Sequence, residues 1–141
     1  MSMINVVLDT NVLLVSLPSH SPFHPIFLAL KQGWYTLFVT NEMLTEYEEQ
    51  ISARLGVDRT DLQLRELLNL PNVTSIDVYF KWNIIIADPD DDKFADCAFA
   101  CSADYLVTND RHFNVLKGEV EFPKVAVITA QEFLEVLTEL R

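Results

Sequence analysis

Cysteine is scarce in this sequence, which has two, Cys97 and Cys101, among its 141 residues. A disulfide framework or a zinc site needs more sulfur than this. The two cysteines lie four residues apart in an apolar segment, and free cysteine in such a place is usually buried in the core. We therefore expect both to be reduced core thiols.

Basic residues are also few, with 10 lysines and arginines against 21 acidic residues and a formal net charge of −11. This balance argues against non-specific nucleic-acid binding through bulk charge. It is compatible with a nuclease, because a phosphate meets the local field and a bound metal ion adds its own positive charge to that field.

The sequence contains no segment typical of export or membrane insertion. The stretch MSMINVVLDTNVLL has no basic part, and Asp9 interrupts its apolar run, so we expect neither a signal peptide nor a membrane span. No internal repeat, low-complexity tract or linker divides the chain, and half of its residues are hydrophobic. We expect one domain over residues 1–141, located in the cytosol and without membrane contact.

Short β-branched segments alternate with amphipathic ones along the chain. Strands are predicted at residues 4–8, 35–39, 73–76 (a short strand or an extended connection), 105–108 and 125–128. Helices are predicted at residues 22–32, 42–55, 58–70 and 92–102. A last helix opens with Thr129 and Glu132 in capping-box spacing. The alternation predicts an α/β domain with a mainly parallel sheet, whose ligands gather beyond the carboxyl ends of the strands.

Acidic side chains come after several of these strands. Asp9 directly follows the first predicted strand, Asp110 follows the fourth, and Glu46 lies in the first two turns of the second predicted helix. A run of aspartates at residues 88–92 follows three isoleucines and opens another helix. Each has an ordinary explanation as a helix cap, a solvated face or a turn. Their coincidence at one edge of the sheet favours a shared site.

The run of aspartates does not fit a calcium loop. Asp88, Asp90 and Asp92 match ligand positions one, three and five of an EF-hand. Position six needs glycine and is Lys93, and position twelve needs glutamate and is Phe99. We therefore reject a calcium loop.

Helical phase selects one aspartate of the run as facing inward. The core-facing stripe at i, i+3, i+4 and i+7 consists of Phe94, Cys97, Ala98 and Cys101. Asp91 lies three residues before this stripe begins and on the same side. A carboxylate there is costly unless it is paired or bound to a metal ion. Asp92 and Asp96 point away and are expected to be solvated or to support the site from outside.

Crowded carboxylates repel one another, and without a cation some of them would take up protons. A hard divalent ion removes this repulsion. Mg²⁺ or Mn²⁺ suits an all-oxygen set, and no histidine–cysteine cluster indicates zinc. Such an ion can acidify a bound water and neutralise charge on a phosphodiester. The implied chemistry is hydrolysis of a phosphate ester by water.

These segments resemble the PIN-domain family of metal-dependent ribonucleases. The similar stretches are LDTNVL around Asp9, NEMLTEYEEQ around Glu46, DPDDDKFADCAFACSADYLVTND ending at Asp110, then RHF and VITAQEFLEVL. LDTNVL alone is a weak motif, and the order and spacing of the whole set make the resemblance specific. It is greatest to PIN proteins that are toxin components of toxin–antitoxin systems.

The resemblance implies a three-layer α/β/α sandwich around a mainly parallel sheet and Mg²⁺- or Mn²⁺-dependent endonucleolytic cleavage of RNA. It matches Asn11 and Thr108 to polar positions that support the site. It places the family's acidic tetrad, which is both catalytic and metal-binding, on Asp9, Glu46, Asp91 and Asp110. Proteins of this family are often dimers, and some are held inactive by an antitoxin. The implied partners are therefore an RNA substrate, an antitoxin and a second copy of the chain.

Few basic residues adjoin the predicted site. Lys93 and Arg111 neighbour tetrad positions, and we predict both as RNA contacts, with Arg111 favoured because it directly follows Asp110. Arg54 lies two turns beyond the tetrad glutamate. Each is more often an ordinary surface charge, so the acidic chain is expected to hold RNA over a small footprint.

Two other functions are alternatives to a nuclease. An aspartyl-phosphate phosphatase usually has a second aspartate two residues after the nucleophile, and that position is Asn11, which disfavours it. A non-catalytic PIN-like module that binds RNA or protein stays open, although all four tetrad positions are acidic.

Overall fold

The computed structural model describes residues 3–78, 92–110 and 125–140. Within these ranges the strands are β1 (Ile4–Leu8), β2 (Tyr35–Val39), β3 (Val73–Ser75), β4 (Tyr105–Val107) and β5 (Ala126–Ile128). The helices are α1 (Thr10–Ser16), α2 (His24–Lys31), α3 (Asn41–Leu55), α4 (Val57–Leu68), α5 (Asp92–Ala100) and α6 (Ala130–Glu139).

The five strands form one sheet in the order β3-β2-β1-β4-β5, and every pairing is parallel. The predicted α/β class with a parallel sheet is therefore confirmed. The chain moves outward from β1 through β2 to β3, and it then crosses to the other side of β1 to add β4 and β5. The direction of the winding thus reverses between β1 and β4, and such a switch point is where ligands bind in open α/β sheets.

Helices cover the sheet, as the family resemblance implies for an α/β/α sandwich. Val6, Val7 and Leu8 of β1 are all buried without alternation, as expected for a strand covered on both faces. The rings of Tyr35 and of Phe133 in α6 pack in a T-shaped arrangement with 5.2 Å between their centroids. Helix α5 packs against β1, β2 and β4 and also contacts α3. The core is thus built around β1 and its two neighbours.

All predicted elements are present within two residues of the predicted bounds, and two details of the comparison are instructive. The prediction omits α1, which begins directly after β1. The predicted helix at residues 92–102 ends earlier, at Ala100. Ser102 adopts a left-handed backbone with φ of 52°, and the Ala103 N–H donates to the Ala98 carbonyl at 2.9 Å. This closing turn ends the helix.

Three smaller expectations concern single elements. The capping box of α6 is confirmed, since the Glu132 N–H donates to the Thr129 hydroxyl at 3.1 Å and the Thr129 N–H donates to the Glu132 carboxylate at 2.9 Å. Cys97 is fully buried and Cys101 half-buried, and both thiols are free. None of the described helices is long and apolar enough to cross a membrane.

Candidate functional site

Asp9 lies at the point where the winding of the sheet reverses. It directly follows β1, and its backbone N–H donates to the Val107 carbonyl of β4 at 3.1 Å. Its side chain caps α1, because Oδ1 accepts from the Val12 N–H at 2.9 Å. Only 6% of the residue is exposed. Two strands and a helix therefore fix a buried carboxylate at the edge where parallel sheets bind ligands.

Thr108 connects Asp9 to Asp110. Its buried hydroxyl donates to Asp9 Oδ2 and accepts from the Asp110 backbone N–H at 3.0 Å. The Thr108 N–H in turn donates to the Ile128 carbonyl of β5 at 2.8 Å. Two of the predicted acids and the predicted supporting threonine thus form one hydrogen-bonded unit at the ends of β1 and β4.

Glu46 approaches the same region from the second turn of α3. The Thr10 hydroxyl of α1 donates to Glu46 Oε2, and Lys93 Nζ of α5 lies 2.7 Å from Oε1. The Glu46 side chain is 25% exposed and the Lys93 side chain is 14% exposed. Three helices therefore meet at one carboxylate.

The electrostatics of Asp9 show that these acids share one field. Burial raises the pKa of the Asp9 carboxyl above its usual value of 3.8, against the hydrogen bonds from Thr108 and the Val12 N–H, which lower it. The charges of Asp110 and Glu46 raise this pKa further. The structure thus brings together three of the four predicted tetrad residues.

Lys93 and Asp96 lie in surroundings that the sequence does not reveal. Lys93, predicted as an RNA contact, pairs with Glu46 and has its Nζ 5.4 Å from the centroid of the Phe94 ring. Asp96 is only 4% exposed, so the expectation that it is solvated is wrong. Its other expected role, to support the site, stays a prediction.

The reason for this error is that α5 is not buried on one face alone. Every residue from 94 to 99 is buried, because the helix packs against three strands and against α3. The stripe residues Phe94, Cys97 and Ala98 are buried as predicted, but Ala95, Asp96 and Phe99 are buried beside them. Burial of the stripe therefore does not by itself separate Asp91 from Asp92, and the choice of Asp91 stays a prediction. Asp91 and Arg111 lie outside the described residues, and Asp92 is described only as the first residue of α5.

Thr10 is a residue of the candidate site that the sequence does not point to. Its hydroxyl orients Glu46 across the contact between α1 and α3. The only signal would be its place next to Asp9, and that becomes meaningful once α1 is known. Asn11, the predicted supporting residue, is exposed on the first turn of α1.

A cavity of about 300 Å³ opens beyond the carboxyl ends of β2 and β3. Thr40 and Glu42 line it from the start of α3, Asp77 lines it after β3, and Lys93 and Asp96 line it from α5. Because Lys93 also contacts Glu46, the cavity adjoins the cluster of acids. It provides space for a ligand beside them.

The chemistry of the donor set fits a hard divalent cation. Asp9, Glu46 and Asp110 offer carboxylate oxygens, and added positive charge would relieve the crowding that raises the Asp9 pKa. Within residues 3–78, 92–110 and 125–140, no group of three or more Asp, Glu, His or Cys side chains is arranged to hold a metal ion. A complete site would therefore draw on water or on residues beyond these ranges, such as Asp91.

Three solved structures resemble this chain in fold. VapBC2 from Rickettsia felis, bound to a DNA fragment from its promoter, matches with a TM-score of 0.61 and 19% identity over 89% of this chain and 98% of that one. DNA-bound VapBC from Salmonella typhimurium matches with a TM-score of 0.60 and 15% identity over 91% of this chain and 99% of that one. FitAB bound to an IR36 DNA fragment matches with a TM-score of 0.56 and 18% identity over 89% of this chain and 94% of that one.

Sequence comparison supplies the family. No curated protein sequence matches the chain. A family model described as the PIN domain matches residues 5–112, a range that includes Asp9, Glu46, Thr108 and Asp110. The resemblance seen in the motifs is therefore confirmed, and this chain belongs to the PIN domain family.

Proposed function

We propose that this chain is a Mg²⁺- or Mn²⁺-dependent endoribonuclease that hydrolyses RNA phosphodiester bonds in the cytoplasm. The observation that carries the proposal is the buried carboxylate of Asp9 at the switch point between β1 and β4, with Asp110 and Glu46 close enough to raise its pKa. Such perturbed groups concentrate at functional sites. Membership of the PIN domain family supports the same reaction.

The metal ion would be held by the four acids of the tetrad, Asp9, Glu46, Asp91 and Asp110. A bound Mg²⁺ or Mn²⁺ would supply positive charge opposite the phosphodiester and would lower the pKa of a water, so that the water could lose a proton to solvent at neutral pH and act as hydroxide on the phosphorus. The positive charge of the ion would offset the repulsion between the carboxylates.

The chain's own contribution is to hold these carboxylates still. Thr108 and the first turn of α1 each bind one oxygen of Asp9, so the carboxylate is fixed against rotation. Thr10 does the same for one oxygen of Glu46. Partners of this kind orient metal ligands and are costly to remove.

Two basic residues would meet the substrate. Lys93 lies against Glu46 in this structure, and we propose that it turns to a phosphate oxygen of the RNA when the metal ion takes over Glu46. Arg111, which follows Asp110 in the sequence, would bind the next phosphate.

We further propose that the chain is the toxin of a toxin–antitoxin pair, with an antitoxin protein and a second copy of itself as partners. The three similar structures are VapBC and FitAB complexes bound to DNA, and each matches about nine-tenths of this chain. The sequence resemblance to toxin components supports the same assignment.

The hydrolysis is tested by incubating purified protein with labelled single-stranded RNA in Mn²⁺, Mg²⁺ or EDTA. Asp9→Asn is the inactive variant, and Asp61→Asn, the same change at an exposed position of α4, is the matched control. We expect metal-dependent cleavage by the wild type and the control and none by Asp9→Asn. Thermal unfolding provides a second readout, because Mn²⁺ should raise the Tm of the wild type and not that of Asp9→Asn.

A folded protein that neither cuts RNA nor gains stability from Mn²⁺ would favour the non-catalytic PIN-like module instead. The role as a toxin is tested separately by induced expression in a bacterial host. Growth should stop with the wild type and with Asp61→Asn and continue with Asp9→Asn. Arrest by Asp9→Asn would show that toxicity does not come from hydrolysis.

A further inference from the structure

A second cavity, of about 490 Å³, lies away from the cluster of acids. It is bounded by the end of α1 and the connection that follows it, by the end of α3 and by the first turns of α4. We call it the arginine pocket, and the lining residues that matter here are Leu14, Leu17, His20, Arg54, Arg59 and Gln63. Its volume is typical of sites that enclose small ligands or parts of larger ones.

The pocket concentrates positive charge in an acidic protein. Arg54 and Arg59 line it, and the only other arginine in the described ranges is Arg65. Neither of the two pocket arginines forms an ion pair with a described carboxylate. Two guanidinium groups on one cavity, with no carboxylate of those ranges to neutralise them, attract an anion and match phosphate geometry well.

Gln63 gives the pocket a polar group that is not yet satisfied. Its Oε1 is buried and has no hydrogen-bond partner within the described part of the chain. Buried acceptors are normally paired, so this one would be satisfied when the amide turns toward a donor on a ligand bound in the pocket. Beside it, Leu14 and Leu17 provide an apolar floor, and the His20 ring and the guanidinium planes are surfaces on which a base can stack.

The pocket lies along the same two helices that carry the acids. Leu17 follows Asp9 by eight residues at the far end of α1, and Arg54 follows Glu46 by eight residues in α3. At about 1.5 Å per helical residue, each separation is roughly 12 Å along the helix. A strand bound at the acids would need only a short extension to reach the pocket.

We propose that the arginine pocket binds an unpaired nucleotide of the RNA substrate, a short distance along the strand from the bond that is cut. Arg54 and Arg59 hold the flanking phosphates, the apolar floor and His20 receive the base, and Gln63 accepts a hydrogen bond from the edge of that base. The inference rests on the proposed nuclease function. It explains how a chain of net charge −11 holds RNA with a small footprint, because anionic, flat apolar and hydrogen-bonding features occur together in a nucleotide.

The first test measures binding without cleavage. Fluorescence anisotropy of a labelled single-stranded RNA 12-mer is recorded in EDTA with the wild type and with the double variant Arg54→Gln/Arg59→Gln. The matched control is Arg65→Gln, an exposed arginine of α4 outside the pocket. We expect the double variant to bind about tenfold more weakly or worse and the control to bind normally. The slope of log K against log salt should fall by about 1.4 when two phosphate contacts to a single strand are lost.

The second test concerns the edge of the base. Adenine and cytosine carry an exocyclic amino donor on their edge and uracil carries an N3–H donor, whereas N3-methyluracil has no donor there. Gln63→Leu keeps the approximate size of the side chain and removes its acceptor, so it should weaken binding to oligo(A), oligo(C) and oligo(U) severalfold more than binding to oligo(N3-methyl-U). An equal loss for the methylated and the unmethylated oligonucleotides would overturn the role given to Gln63.

A small substrate separates this proposal from the proposed function. Bis(p-nitrophenyl) phosphate can meet the acids without reaching the pocket, so the double variant should hydrolyse it in Mn²⁺ as fast as the wild type. A wild type that hydrolyses neither this ester nor RNA would overturn the nuclease function, and the anisotropy result would still decide the pocket. Normal RNA binding by the double variant would overturn the proposal that the pocket binds a nucleotide of the RNA. The single variants Arg54→Gln and Arg59→Gln provide the same comparison if the double variant does not fold.

Discussion

The candidate site has two halves that hold their carboxylates in different ways. In the sheet half, Asp9 is buried at the ends of β1 and β4 and receives hydrogen bonds from Thr108 and from the Val12 N–H. In the helix half, Glu46 is a quarter exposed and is paired with the ammonium group of Lys93. The sheet half therefore holds its acid with neutral donors, and the helix half carries its own counter-charge.

This difference assigns separate tasks to the two halves. Neutral donors fix the position of Asp9 and leave its repulsion from Asp110 and Glu46 in place, so that half gains most from a bound cation. The ion pair of Glu46 already compensates its charge, so a cation gains less there. Substitutions that remove or exchange these partners should distinguish the halves.

The largest effect is expected from removing one charge in each half. Asp9→Asn and Glu46→Gln should both lower RNA cleavage by orders of magnitude, because each removes a proposed metal ligand. In EDTA their stabilities should change in opposite directions. Asp9→Asn should stabilise by about 0.5–2 kcal/mol, as relief of functional strain commonly does, since asparagine still caps a helix. Glu46→Gln should destabilise, because it removes the charge that pairs with the Lys93 ammonium at 2.7 Å. Urea unfolding measures both.

The dependence on pH provides a control for this result. The pKa of Asp9 is raised above its usual value in the folded protein, so the folded state binds more protons than the unfolded one. The contribution of Asp9 to stability is therefore present at low pH and is lost as pH rises through the folded pKa. The advantage of Asp9→Asn over the wild type in EDTA should grow from acid to neutral pH. An advantage that shrinks with rising pH would contradict the assignment of charge to Asp9.

An effect of similar size is expected for one acid of the run at residues 88–92. The family resemblance assigns the remaining ligand to Asp91, so Asp91→Asn should lower RNA cleavage by orders of magnitude. Asp88→Asn, the same change three residues earlier, should alter it little. Equal losses of cleavage in Asp91→Asn and Asp88→Asn would contradict the choice of Asp91. If Asp92→Asn alone caused a large loss, the metal ligand would be Asp92 and not Asp91.

A smaller effect is expected from the hydroxyl that connects the two acids of the sheet half. Thr108→Val keeps the shape of the side chain and removes both its hydrogen bonds, to Asp9 and from the Asp110 N–H. Loss of such an orienting partner typically costs about 10–100-fold in metal affinity or activity. We expect weaker Mn²⁺ binding by calorimetry, with Thr108→Ser close to the wild type. Equal damage from Val and Ser would indicate that the methyl group matters and the hydroxyl does not.

The sheet half is also the part that the sequence predicts best. The bounds of β1 and β2 agree with the prediction because each is a short apolar run that ends at a capping residue, Asp9 or Thr40. Once parallel strands are inferred, their carboxyl ends must share an edge, so the positions of Asp9, Thr108 and Asp110 follow.

The helix half could not be predicted in the same way. Helix α1 has seven residues, of which five are buried, so it has no polar face to give a periodic signal. Its helicity comes from the Asp9 cap and from tertiary packing, which stabilises most short helices. The contacts of Glu46 with Thr10 and Lys93 depend on how three helices pack together, and sequence spacing does not determine this. The same reason explains why the buried state of Asp96 was not predicted.

The smallest effect is expected from removing the ammonium group that pairs with Glu46, so that the helix half, like the sheet half, lacks this counter-charge. Lys93→Met keeps the apolar stem of the side chain and removes the charge that compensates Glu46. Its loss should tighten Mn²⁺ binding severalfold, because an ammonium group beside a cation site repels the cation. It should also lower stability in EDTA by about 1–3 kcal/mol, since Glu46 is left partly buried without its partner.

Lys31→Met is the matched control for this change. Lys31 also pairs with a glutamate, Glu66, at 3.0 Å, and its Nζ also lies over a ring, that of Phe27, at 5.5 Å. That pair is about 40% exposed on both sides and lies on α2 and α4, so its loss should cost at most about 1 kcal/mol and leave Mn²⁺ affinity unchanged. If Lys93→Met and Lys31→Met had the same effect on Mn²⁺ binding, Lys93 would be an ordinary surface charge and the distinction between the two halves would fail.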